Sequence, residues 1–411
     1  MRTPFDHDIA SVLACIVVIL ALGPFGAIFV AFPVYVRPCE LSSPGRSDRG
    51  VDMLDMTVRW TIVVCALLAA SRDLHMPSAP AFARSRAFAS QPTMTFPEAT
   101  ISNGQITARI YLPDPQRGFY RSTRFDWSGM IASLEYGGHQ YYGPWFTGSD
   151  PSVRDFVYRG QDILVSAQSG AVGPAEEFQR PQGYNTAKPG DTFVKIGVGV
   201  LRKKDETPYS AYDTYEIVTA GKWSSRPRPD AVEFAQELDD SRSGYGYVYR
   251  KIVRLTAGRP ELVIEHSLQN TGRLPLDANQ YNHNFLVLDR AATGPEFTIT
   301  CPFAIQTTRP PDRKLAEIRA NQILYLKTLE GEERVTFPIQ GFGKEPKDYD
   351  VRVESRRTGA GFRVTSDRAP ASIGFWSIRS VISVEPFVDV STDPGKTTTW
   401  KYVYMYYTNA R

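Results

Sequence analysis

The 411-residue chain predicts an all-β fold, a β-sandwich forming one domain after an N-terminal leader. Three observations predict it. Short runs with strand character recur from Phe96 to the end, and no long stretch carries helical periodicity or a weighty helix-start signature. Turn clusters such as Tyr136-Gly137-Gly138 and Thr256-Ala257-Gly258-Arg259-Pro260 separate these runs. No fixed-period repeat marks a propeller or a β-helix, so many strands at this spacing point to a sandwich.

Taken in order, residues 1–83 read as a leader. The stretch Ile9–Val36 has no charged residue and is long enough to span a bilayer, although Pro24 and Pro33 interrupt it. A second segment, 56–83, holds the shorter apolar run Trp60–Ala70. With Arg59 before it and Ala81-Phe82-Ala83 after it, this segment has the charged start, short core and small-residue end of a secretory signal peptide. Met53 and Met56 stand just upstream as alternative starts. The expectation is an exported chain, periplasmic or extracellular, whose mature domain is 84–411; the alternative is a membrane anchor with the domain outside.

From Phe96 the strand-like runs are Ile106–Tyr111, Met130–Tyr136, Ile163–Ser166, Phe193–Leu201, Tyr212–Thr219, Val232–Leu238 and Tyr245–Leu255. They continue through Leu262–Gln269, Phe285–Leu288, Glu296–Thr300, Ile323–Leu329, Arg334–Phe337, Phe362–Ser366, Ile373–Trp376, Val381–Val388 and Lys401–Tyr407. The stretch Leu315–Ile323 has the look of a short helix. Gly173–Phe178, with its paired acids, reads as a loop. Arg226–Asp230 and Arg309–Arg313 read as surface loops, and no internal domain boundary is visible.

Composition narrows the function classes. The formal net charge is +3, from 47 basic and 44 acidic residues, without the concentrated basic surface that nucleic acid demands. Aromatic residues make up 12% of the chain; they suit sheets, and they are also what stacks on sugars. Of the four cysteines, Cys15, Cys39 and Cys65 lie in the leader. Cys301 is left alone, so no disulfide is expected in the mature domain. Neither Cys-x-x-Cys nor His-x-x-x-His occurs, so no metal or cofactor is called for.

The stretch Leu262–Asp289 carries the chemistry. Leu262, Ile264, His266 and Leu268 alternate with Val263, Glu265, Ser267 and Gln269, the period of a strand. Asn270, Thr271, Gly272 and Pro275 supply a turn. Then follow Tyr281-Asn282-His283-Asn284-Phe285, where amides flank an imidazole able to give or take a proton near neutral pH.

These residues resemble the strand pair of the aldose 1-epimerase (galactose mutarotase-like) superfamily. In that family a histidine in a motif of the type Thr-Asn-His-x-Tyr-Phe-Asn is the general acid. Downstream, Ser383-Val384-Glu385-Pro386, then Asp393-Pro394-Gly395 and the Trp400/Tyr402/Tyr404 strand, resemble the family's terminal segment, whose glutamate is the general base. The resemblance implies a large antiparallel β-sandwich, a galactose mutarotase-like supersandwich, with a ligand cleft on the concave face of one sheet. It also implies a carbohydrate ligand and interconversion of sugar anomers, with His283 as acid and Glu385 as base. One departure stands out. The family usually carries a further sugar-binding histidine on an earlier loop, but this chain has none between Phe178 and Arg250. That leaves galactose or glucose unsupported as the substrate. The alternative function is a non-catalytic carbohydrate-binding sandwich or an accessory domain of polysaccharide processing.

Each further candidate has a plain structural reading beside it. Glu385, between apolar Val384 and Pro386, is either a desolvated base or an exposed strand residue. Asn282 can bind sugar or orient its neighbour. His266 can line the cleft or sit in the core with a satisfied ring, and His139 belongs to a surface turn. Trp376, Trp145 and Trp127 are stacking platforms or core filler. Arg124 and Lys195 can hold a hydroxyl or an acidic sugar, or lie on a solvated face.

Overall fold

The structure, a computed structural model, describes residues 15–21, 27–33 and 95–408. The chain divides into two compact units, residues 1–87 and 88–411. In the first, Cys15–Ala21 and Ala27–Pro33 pair antiparallel, with Cys15 opposite Pro33. The signal-peptide-like segment and Ala81-Phe82-Ala83 lie outside the described residues. Among the described residues no helix is long and apolar enough to cross a membrane.

The second unit is the expected all-β sandwich. One layer is a ten-stranded sheet running from Lys222–Pro227 through Glu261–Asn270, Thr397–Tyr407 and Gly361–Ser366 to Ala316–Arg319 at the far edge. The other is a five-stranded sheet whose strands are here labelled in chain order: β1 (Gly173–Phe178), β2 (Leu276–Phe285), β3 (Arg334–Ile339), β4 (Ser372–Ile378) and β5 (Val381–Thr392). Their order across the sheet is β1-β2-β5-β4-β3, antiparallel throughout. Pro174 and Pro338 fall on the two edge strands, where a missing N–H costs no central ladder bond.

Side-chain alternation decides what lies between the layers. On Thr397–Tyr407, Trp400, Tyr402, Tyr404 and Tyr406 all point inward and are buried; each such ring removes roughly 150–250 Å² from water. Their polar tips need partners, and the inward face of β2 supplies amides. Gln280 Oε1 accepts from Trp400 Nε1 at 2.9 Å and from Tyr402 OH at 2.6 Å. Asn284 Oδ1 accepts from Tyr404 OH at 2.8 Å, and Asn282 Nδ2 donates to that same hydroxyl at 2.7 Å. These bonds fix the facing of β2: Gln280, Asn282 and Asn284 look into the core, so Tyr281, His283 and Phe285 look out the other side.

Several local expectations need correction. Leu315–Ile323 is no helix: Ala316–Arg319 and Gln322–Tyr325 form a hairpin that turns at Ala320, with φ of 53°. Phe193–Leu201 is two strands, Thr192–Lys195 and Gly199–Arg202. The chain turns between them through Gly197 at φ 78°, where a Cβ would stand 2.7 Å from that of Asp126. Gly173–Phe178 is a fully buried strand, β1, and not a loop. Its two acids are tolerated because remote cations meet them on both faces.

Candidate active site

The outward face of the five-stranded sheet forms the floor of a cleft of about 670 Å³. Tyr281, His283 and Phe285 of β2, Glu385 and Phe387 of β5, and Gly374 and Trp376 of β4 line it, with Arg124, Tyr212 and Arg309 from loops above. Backbone register brings the two sequence-predicted catalytic residues together. Tyr281 pairs with Phe387 and Leu286 with Ile382, which sets His283 opposite Glu385. Between those points the regular ladder lapses, because Pro386 has no N–H to contribute. A side-chain bond from Asn284 Nδ2 to the Val384 carbonyl, 2.8 Å, bridges the strands there instead.

His283 Nδ1 lies 3.1 Å from Glu385 Oε1, yet neither atom is aligned into a hydrogen bond, and both are buried without another partner. Burial without partners is costly, and here it falls on two titratable groups at the floor of a cleft. The surroundings account for the desolvation. The imidazole stacks on Phe285 at 3.7 Å between ring centres and meets Trp376 edge-on at 5.2 Å. Trp145 stacks on Phe285 at 5.5 Å and so backs the same wall.

Burial pushes the Glu385 carboxyl up to about 7. Burial, and then the positive charge of Arg124, hold His283 well below the ordinary imidazole value. Both shifts disfavour charge, so below about pH 7 the ligand-free pair holds one proton, chiefly on Glu385, and loses it above. Gly374 stands beside Glu385 on β4, and a Cβ there would come within 3.3 Å of Oε2. Glycine at this position keeps the carboxylate's approach clear.

A buried ion cluster adjoins the pair. Arg124 Nε donates to Glu177 Oε2 at 3.0 Å and NH2 donates to Tyr281 OH at 3.1 Å, while Tyr281 OH donates to Glu177 Oε2 at 2.7 Å. Lys195 Nζ reaches Glu177 Oε1 at 3.1 Å and the Tyr209 hydroxyl at 2.5 Å. The Arg124 guanidinium also lies between the Phe125 and Tyr212 rings, 4.5 and 4.7 Å from their centres. Burial alone would raise the Glu177 carboxyl, but Lys195 and Arg124 together hold it below its usual range. Lys195 is fully buried rather than on a solvated face, and burial lowers its own value.

Of the sequence candidates, His283, Glu385, Trp376, Trp145 and Arg124 meet at this cleft. Asn282 and His266 do not. Asn282 faces the core, for the alternation of β2 that sends His283 outward sends its neighbour inward. His266 belongs to the ten-stranded sheet, stacked on Trp400 at 4.6 Å, with Nε2 3.0 Å from both oxygens of Glu176. Glu176 and Asp126 in turn each lie 2.6 Å from Lys251 Nζ. Trp127 packs against Trp223 away from the cleft, and His139 pairs with Asp289 at 2.6 Å. Sequence reading passed over Tyr281, Phe285, Phe387 and Glu177; the first three share the period-two face of His283 or Glu385, a signal that was there to be read. Among the described residues no group of three or more His, Cys, Asp or Glu side chains has metal-holding geometry.

Neither a protein-family model nor a curated protein matches the chain. Solved structures do. A putative aldose 1-epimerase from Escherichia coli K12 is 13% identical, with 76% of this chain and 99% of that one covered and a TM-score of 0.44. A galactose mutarotase related enzyme from Lactobacillus acidophilus is 12% identical, at 75% and 97% coverage and a TM-score of 0.43. An aldose epimerase homologue from C. elegans is 14% identical, at 76% and 98% coverage and a TM-score of 0.40. Galactose mutarotase-like and aldose 1-epimerase proteins thus stand among the structural neighbours of this chain.

Proposed function

We propose that the protein binds a carbohydrate in this cleft and interconverts its anomers by acid/base ring opening at His283 and Glu385. The observation that carries the reading is the pair itself: two titratable groups, 3.1 Å apart on the cleft floor, each with a buried atom lacking a hydrogen bond.

The chemistry asks for one proton to be given and one taken. One group removes the proton of the anomeric hydroxyl while the other protonates the ring oxygen; the bond from the anomeric carbon to the ring oxygen breaks and an open-chain aldehyde results. Rotation about the next carbon–carbon bond and closure with the roles exchanged yields the other anomer. Both oxygens are attached to the same carbon, so a His/Glu pair on one side of the sugar can serve both. The resemblance assigns His283 as acid and Glu385 as base. In the ligand-free pair the proton sits on Glu385, so that assignment has it pass to His283 before or during ring opening. Trp376 and Tyr212 offer apolar faces for the sugar's C–H bonds.

Polarimetry of freshly dissolved aldoses against a buffer blank tests the reading. Glu385→Gln and His283→Asn should each remove most of the acceleration, and the double variant little more, as expected of groups that act together. Binding without any acceleration in the wild type, across neutral and anionic aldoses, would leave a carbohydrate-binding sandwich in place of an enzyme.

A further inference from the structure

The Arg124 cluster holds two cations and one carboxylate: Arg124 and Lys195 against Glu177, with residual exposures of 7%, 0% and 1%. A buried cluster with an excess positive charge is costly unless an anion completes it. The guanidinium uses Nε for Glu177 and NH2 for Tyr281. Among the described residues its NH1 has no acceptor and is not one of the sealed, unpartnered atoms, so it stays open to the cleft that Arg124 lines. The Phe125 and Tyr212 rings pack against the guanidinium, and an NH1 oriented by the bonds at Nε and NH2 is the donor that a carboxylate or phosphate oxygen accepts best.

Its position relative to the reacting pair is also informative. Arg124 is tied to Tyr281, and His283 is the next residue on the same face of β2, a backbone advance of about 7 Å. Arg124 thus stands beside the reacting pair along the cleft, near enough for its charge to act on both His283 and Glu385. A hexose with its anomeric carbon at His283 and Glu385 can place its far end at Arg124. The exposed Arg309 and the half-buried Asp155, which accepts from Ser169 at 2.5 Å, stand on the rim with opposite charges. Glu385, the further carboxyl within reach of Arg124's charge, is raised to about 7 by burial and so is mostly neutral below that pH, which leaves the cluster's excess uncancelled there.

Resting on the ring-opening reading for the sugar's orientation, we propose that the cleft selects anionic sugars, an oxygen of a carboxylate or phosphate group accepting from Arg124 NH1. Uronates and sugar phosphates share this chemistry. Neutral aldoses lack the group that completes the cluster.

Titration calorimetry on the full chain with methyl glycosides separates this inference from the catalytic one, because methyl glycosides cannot ring-open. The ligands are methyl glucoside, methyl glucuronide and methyl glucoside 6-phosphate, each at low and high salt. The expected result is that at least one anionic ligand binds about tenfold or more tighter than the neutral one, as a charge-assisted hydrogen bond supplies, with the advantage shrinking in salt. The tighter of the two anionic ligands identifies carboxylate or phosphate as the group recognised. Equal or weaker binding of both anionic ligands overturns the inference, whatever polarimetry shows of catalysis. Arg124→Lys keeps the charge but loses the oriented fork and should lose the preference; should that variant fail to fold, the wild-type ligand series still decides. Acceleration of neutral aldoses with no anionic preference would sink this inference and leave the ring-opening reading standing. Anionic preference in binding with no acceleration of any aldose would do the reverse.

Discussion

Glu176 and Glu177 are neighbours in sequence, yet their carboxylates leave β1 on opposite faces and enter two separate buried clusters. Glu176 meets Lys251 at 2.6 Å and His266 at 3.0 Å between the sheets, whereas Glu177 meets Arg124 at 3.0 Å and Lys195 at 3.1 Å beside the cleft. One strand therefore ties the core to the site, and each side can be tested by itself.

On the core side, Lys251→Met should leave Asp126 and Glu176 facing each other without the cation that both contact. Breaking a buried ion pair from one partner costs about 3–5 kcal/mol, to be read as a lowered urea midpoint at pH 7. The exposed pair Arg109–Glu98 provides the contrast: Arg109→Ala should cost about 1 kcal/mol or less. Glu176 adds a pH signature. Burial would raise its carboxyl, but His266 and Lys251 draw it down to about 2. This depressed group contributes stability above its unfolded value of 4.5 and loses it as pH falls toward 2.

The reacting pair should show its shared proton in the pH profile. With His283 held low and Glu385 near 7, the singly protonated pair is populated below about pH 7 and emptied above it. The expected kcat/KM for anomer exchange falls as pH rises through 7, whichever group carries the proton in the reactive form. A rate that rises through the same range would show that only the free carboxylate matters and that His283 gives no proton.

The same shift bears on stability with the opposite sign to Glu176. A carboxyl raised from 4.5 to about 7 favours the native state below 4.5, and that advantage is lost as pH climbs to 7. Glu385→Gln should accordingly melt higher than wild type at pH 8, by about 3 kcal/mol of stability at most, and no higher at pH 4. Equal melting at both pH values would mean that Glu385 is not desolvated in solution.

Gly374 offers a test that leaves the charges in place. Its φ is not positive, so the backbone accepts alanine, but the new Cβ would stand 3.3 Å from Glu385 Oε2. Gly374→Ala should reduce kcat/KM about tenfold or more, since small misplacements at a reacting centre are expensive, while the melting temperature changes little. Full activity in this variant would show that the carboxylate's placement tolerates crowding.

The leader carries its own prediction. The run Trp60–Ala70 and the Ala81-Phe82-Ala83 site lead to a mature chain beginning near Arg84, read by sequencing the N-terminus of exported protein. An intact Met1 recovered in the membrane fraction would favour the anchor alternative.

Alternation of apolar and polar residues was enough to reveal the fold class and most strands, because strand formation answers to a local period of two. It was the resemblance of the Asn-His-Asn and Val-Glu-Pro motifs to the mutarotase-like strand pair and terminal segment that singled out His283 and Glu385. What it did not disclose was β1, whose glycine, proline and two glutamates have the composition of a turn. They form a buried strand because Arg124, Lys195, Lys251 and His266 arrive from elsewhere in the chain to partner the acids. Nor did it tell Asn282 and His266 apart from cleft residues. Which face of a strand becomes floor and which becomes core depends on the sheet packed behind it, here through the bonds of Asn282 to Tyr404 and of His266 to Glu176. The sequence by itself determined most of the strands and the chemical groups they carry. Only the tertiary structure decided register and facing, and so the 3.1 Å approach of His283 to Glu385, because pairing between strands far apart in the chain is settled by packing and not by local propensity.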